Sequence, residues 1–146
     1  MLPGRRRLDL SALLPVIDRL AGLDRLRSRI DAATGEPLAL GVSDGAKAAV
    51  LAAIAHDAAR PIVVIVPKPH HAEALAEELI AWLGIGSGER VRVFPERDAL
   101  PYERLAPESE DVRRRLDALD ALAHGVGAAP IIVACAQAVA QRTLTP

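Results

Sequence analysis

The residues best placed to do chemistry lie where an apolar run gives way to a helical pattern. Gly41-Val42-Ser43-Asp44-Gly45-Ala46-Lys47-Ala48 carries the spacing of a nucleotide-phosphate loop, G-x-x-x-x-G-K-[ST], with its lysine in register. In such a loop the glycines let backbone N–H groups approach phosphate, the lysine reaches the outer phosphates, and the hydroxyl holds Mg²⁺. Ala46 stands where the second glycine belongs, and Ala48 where the hydroxyl belongs. Asp44 adds a negative charge beside any bound phosphate. No apolar strand here ends in paired acidic residues that would supply a second Mg²⁺ motif. Gly41, Gly45 and Lys47 are therefore read as a degenerate nucleotide loop that keeps its architecture without its chemistry. On that reading the two glycines permit the turn.

Other candidates are weaker. Arg113-Arg114-Arg115 resembles a phosphate patch, but three successive helical residues fan over about 200° and cannot converge. Glu110 and Asp111 precede Arg114 and Arg115 by four, a spacing that favours a solvated, self-paired helix face. His70-His71 has no third ligand nearby in sequence, so it reads as an exposed pair at a helix start. Cys135 follows an apolar run with no histidine beside it, and reads as a small buried hydrophobe. Pro95 to Pro107 is a long irregular stretch, and loops of that length in compact domains are often functional. Its Tyr102 and Arg104, with Arg113, Arg114 and Arg115, are the candidate contacts to DNA or to another domain.

These residues need a scaffold. Val16, Ile17, Leu20, Leu23, Leu26 and Ile30 recur at helical spacing, divided at Gly22 into two short helices. Four apolar runs then alternate with three helical stretches. The runs are 37–42, 61–66, 90–94 and 130–134, and the helices cover 46–59, 70–83 and 108–124, with a short helical stretch over 135–142. Residues 61–66 are apolar on both faces after the proline, as a central parallel strand is. Arg90 to Phe94 alternates and reads as nearer an edge. Val50, Leu51, Ile54 and Ala58 are expected inward on the first of these helices, and Val112, Leu116, Leu119 and Ala123 on the last. The pattern predicts an α/β fold: a three-layer, mostly parallel sheet of about four strands with flanking helices, preceded by N-terminal helices. The division expected is 1–35, helical, and 36–146, the α/β module. A four-stranded sheet ending at a short helix is expected to be incomplete, to continue downstream, and to leave an exposed sheet edge or apolar patch near Ile131–Val133 and the C-terminus.

Composition narrows the function. The 146 residues carry a formal net charge of −1 with a sequence pI near 6.4, so no global basic field draws nucleic acid. Trp82, Phe94 and Tyr102 are the only aromatics, too few for a base-stacking platform. One cysteine allows no intrachain disulfide and suits a reducing cytoplasm. No apolar run approaches the ~18 residues that span a bilayer. Arg5-Arg6-Arg7 and the apolar stretch after it are interrupted by Asp9 and Pro15, which argues against a signal peptide.

The run Phe94-Pro95-Glu96-Arg97-Asp98-Ala99-Leu100-Pro101-Tyr102-Glu103-Arg104-Leu105-Ala106-Pro107, followed by Val112-Arg113-Arg114-Arg115-Leu116, resembles a segment of the bacterial transcription-repair coupling factors. The loop, the helix–strand pattern after it and the closing IIVACAQAVAQR fall in that family's order, over about residues 12–146. Cys135 and Ala136 depart from the family's usual Ser-Val. The resemblance implies a partial P-loop, helicase-like domain that has lost ATP binding, similar to the B component of excinuclease ABC. It implies a non-catalytic module of a double-stranded-DNA translocase, which releases stalled RNA polymerase and recruits nucleotide excision repair through the A component of excinuclease ABC. ATP and Mg²⁺ would belong to a downstream motor, so no cofactor and no catalytic or metal-binding residue is assigned here. The partners expected are the remainder of the coupling factor and, for the whole protein, RNA polymerase, the A component of excinuclease ABC and double-stranded DNA, with no membrane. Two alternatives remain: a small active P-loop ATPase or nucleotide kinase, and a free-standing DNA-repair adaptor.

Overall fold

The structure is a computed structural model that describes residues 8–32, 35–97, 109–125 and 127–141. Its elements run α1 (Leu14–Ile17), α2 (Leu23–Asp31), α3 (Lys47–His56), β1 (Ile62–Val66), α4 (Pro69–Leu83), β2 (Val91–Phe94), α5 (Ser109–His124), β3 (Ile131–Cys135) and α6 (Ala136–Ala140). Gly22 separates α1 from α2 with φ +101, a backbone angle glycine adopts without strain.

Among the described residues the sheet has three strands in the order β1-β3-β2, and both pairings are parallel. Helix α4 packs on the face carrying Ile62, Val64, Ile131, Val133 and Val91, with α3 against it. Helix α5 packs on the other face, where Phe94, Ile132 and Ala134 meet Ala118. The two crossovers travel in opposite directions along the sheet, so right-handed connections require their helices on opposite faces.

Alanine sets the spacing between helices. Ala52 and Ala53 of α3 and Ala72 and Ala76 of α4 are buried in one cluster, which lets the backbones approach closely. The expected inward residues Val50, Leu51 and Ile54 pack half-buried against the core on the flanks of that stripe, and alanine forms its fully buried centre. Leu79 is fully buried, and removing such a side chain costs about 2–5 kcal/mol.

Three expectations are corrected. Residues 37–42 are irregular, leaving three strands among the described residues; Pro37 lacks an N–H to donate, and none of the six pairs with a neighbour. Residues 62–66 form an edge strand, not a central one, and expose Val63 (53%) and Ile65 (57%). The centre is β3, whose five residues are all buried, so the uncovered apolar edge lies at β1 and not near Ile131–Val133. The placement of β2 at an edge agrees with its alternation.

Candidate functional site

The loop 41–48 lies toward the C-terminal end of β1, where Asp44 feels the field of His71 in the first turn of α4. Residues 41–43 are irregular, Asp44–Ala46 makes one 3-10 turn, and α3 begins at Lys47. Lys47 Nζ bonds Asp44 Oδ1 at 2.5 Å, with both side chains largely exposed. That hydrogen bond, and then the ammonium charge, hold the Asp44 carboxyl below the usual carboxylate range, and the field of His71 acts in the same direction. The lysine that would serve a phosphate thus faces a carboxylate of its own loop. Neither glycine is demanded by the backbone: a Cβ at Gly41 or Gly45 would meet nothing within 4 Å, and neither has a positive φ. Ala48 is buried in the core, so the position of the Mg²⁺-binding hydroxyl points away from solvent.

The three arginines separate as the helical fan requires. Arg113 is exposed. Arg114 Nη2 bonds Glu73 Oε1 of α4 at 2.7 Å. Arg115 is buried at 5%, with Nη1 donating to Pro95 O at 2.6 Å and its guanidinium 3.9 Å from the Phe94 ring centroid. Burial holds its pKa below the ordinary arginine value, and nearby Arg97 adds in the same direction. Arg115 is therefore a structural anchor for the end of β2. Tyr102 and Arg104 lie outside the described residues.

Other polar contacts escape sequence reasoning. Arg27 Nη2 donates to Ala53 O at 2.6 Å and also bonds Asp18, while Arg90 Nη2 donates to Ala55 O. Two cations thus satisfy carbonyls in the last turn of α3, where the helix dipole favours positive charge. The Gln141 side chain accepts from Arg97 N at 2.7 Å. Charged residues spaced like solvent-facing ones give no signal of such backbone contacts. Among the described residues no three His, Cys, Asp or Glu side chains are placed to hold a metal ion. Cys135 is buried, and its Sγ accepts from Ala138 N at 3.3 Å to cap α6.

Part of the exposed surface is apolar. Arg114 and Asp117 of α5 line a shallow cavity with Glu73 and Glu77 of α4 and Val91 to Val93 of β2, so that flank of α5 looks over the β2 edge. At about 100° per residue, Val112 and Leu116 lie on the side of α5 turned away from its buried stripe of Arg115, Ala118 and Ala121. They are 39% and 59% exposed. Of the expected inward stripe of α5, Leu119 packs against the core, whereas Val112, Leu116 and Ala123 are exposed, because Arg115, Ala118 and Ala121 occupy the sheet-facing positions. Val63 and Ile65, which share one face of the sheet edge strand β1, are exposed as well.

No protein-family model matches the chain. The chain is similar to the transcription-repair-coupling factor of Myxococcus xanthus. Identity is 33% over 127 residues, covering 84% of this chain. The chain spans 9% of that relative's length. The aligned share is long enough to take in most of the helices and strands described above. No helix among the described residues is long and apolar enough to cross a membrane.

Proposed function

We propose that this chain is a non-catalytic module related to the transcription-repair coupling factors, working as a packing and interaction unit of a larger assembly. The observation that carries this reading is the similarity to the Myxococcus relative across 84% of the chain. The loop supports it: Lys47 is paired with Asp44 and Ala48 is buried. The exposed apolar side chains Val63 and Ile65 of β1 support it as well, since contiguous exposed apolar surface marks interaction sites. On this reading the sheet is a degenerate P-loop, helicase-like core, and the chain binds neither ATP nor Mg²⁺. The larger protein translocates on double-stranded DNA, displaces stalled RNA polymerase and recruits the A component of excinuclease ABC, using motor residues supplied elsewhere. Such a protein works in the cytoplasm.

Phosphate release from the isolated chain, with Mg-ATP and duplex DNA present, tests the reading. Background rates are expected. Turnover above background that Lys47→Ala removes would replace it with the active-ATPase reading.

A further inference from the structure

Helix α4 covers the face of the sheet that carries Val91 and Val133, and α5 the face of Phe94 and Ile132. Yet Arg114 Nη2 of α5 bonds Glu73 Oε1 of α4 at 2.7 Å. An ion pair between helices on opposite faces closes around an edge of the sheet. That edge is β2, the outer strand in the order β1-β3-β2 among the described residues. Two cavities meet at the pair, and Glu73, Val93 and Arg114 line both. One, of about 200 Å³, extends toward Phe94, and the other, of about 290 Å³, toward Val91. Together they form a groove along β2 with α4 and α5 as walls, and the ion pair is a clasp across it.

The floor of the groove is backbone. Ile131 N donates to Arg90 O at 2.9 Å, so Arg90, Arg92 and Phe94 turn their peptide groups toward β3. The alternate residues, Val91 and Val93, turn theirs outward, and no described group bonds them. Such a row of free N–H and C=O groups is the template on which an extended chain adds a strand. The walls select the chain. Glu77 of α4 and Asp117 of α5 line the groove with no cation among the described residues paired to either, while Arg114 is engaged by Glu73. Arg92 lines it too, and its buried Nε has no described acceptor, which leaves a donor for a peptide carbonyl. A second copy adding β2 to β2 about a two-fold axis would set these carboxylates against their own equals, and like charges opposite one another destabilise a strand pair. A chain bearing Lys or Arg meets them with opposite charge.

We propose that the β2 groove takes a basic extended peptide as an added strand, and that the Glu73–Arg114 pair is a clasp which the peptide opens. The peptide bonds Val91 and Val93 through its backbone and Glu77 and Asp117 through its side chains. The site stands on the groove alone and would remain in an active ATPase.

Titration of the full chain with a blocked hexapeptide of alternating Val and Lys, followed by nuclear magnetic resonance, tests it. Expected are saturable shifts at the amides of Val91 and Val93, and slower hydrogen exchange at both. Arg114→Ala opens the clasp and is expected to tighten binding about two- to fivefold, the range of an exposed ion pair. Glu77→Gln with Asp117→Asn is expected to weaken it about tenfold while the β3 amides stay protected. The same peptide methylated at alternate backbone nitrogens keeps its charges and loses its ladder donors, and should not bind. No saturation at millimolar peptide, or shifts at Val63 and Ile65 in place of Val91 and Val93, would overturn the site. Equal binding of the methylated peptide, or of one with Glu in place of Lys, would overturn the added strand or its charge selection. Unchanged affinity in Arg114→Ala would overturn the clasp.

Discussion

The guanidinium of Arg115 lies 3.9 Å from the centroid of the Phe94 ring and donates to the next residue's carbonyl, Pro95 O. One buried cation thus fastens α5 to the end of β2, immediately before the Pro95–Pro107 stretch. Arg115→Met should cost about 2 kcal/mol in urea unfolding, from a lost charged hydrogen bond and a lost cation–π contact. Arg113→Met, on the exposed side of the same helix, should change stability by less than about 0.5 kcal/mol. Equal effects would show that Arg115 is not the anchor. Arg115→Lys should also destabilise, since an ammonium cannot reproduce the planar contact.

Ala48 is 1% exposed, so restoring the consensus hydroxyl should harm the fold rather than create a site. Ala48→Thr is expected to lower stability by about 1–3 kcal/mol through overpacking. A stable variant that gains Mg²⁺-dependent nucleotide binding would contradict this.

Asp44 provides a titration signature. Its carboxyl is held below its ordinary 3.8 by Lys47, so the unfolded chain takes up its proton first as pH falls. Any stability from this pair is present above the unfolded value and is lost as pH falls through the folded one. The carboxyl carbon resonance of Asp44 should titrate below 3.8 and return to the ordinary value in Lys47→Ala. An unchanged midpoint in that variant would break the assignment.

Val63 and Ile65 offer a direct handle on the exposed apolar face of β1. Val63→Glu or Ile65→Lys should lower binding of a hydrophobic dye, with stability changing by about 0.5 kcal/mol or less, because neither side chain is in the core. Unchanged dye binding would mean that the uncovered surface lies elsewhere.

Much of the scaffold is legible in the residues. The β-branched run at 62–66 reads as a strand, Gly22 as a helix divider, and the alternation of 90–94 as an edge. What is lost is lateral placement. An apolar strand reads alike at the centre of a sheet or beside an uncovered face, so β1 and β3 exchange roles. The phase of α5 is read only in part, with Leu119 packed on the core and Val112 and Leu116 exposed. Periodicity follows apolar side chains, whereas Arg115 enters the interior by bonding a carbonyl and covering a ring. At the loop, the identities of Ala46 and Ala48 already remove required contacts. The pairing of Lys47 with Asp44 appears only in three dimensions, although the i,i+3 spacing permits it. The arginine contacts to α3 carbonyls have no sequence signature, since a backbone acceptor can lie anywhere.

Whether the loop still binds nucleotide is decided by titrating the chain with a fluorescent ATP analogue in the presence of Mg²⁺. No saturable signal is expected into the millimolar range, and Lys47→Ala should give the same trace. Saturable micromolar binding that Lys47→Ala abolishes would show that the loop has kept its chemistry.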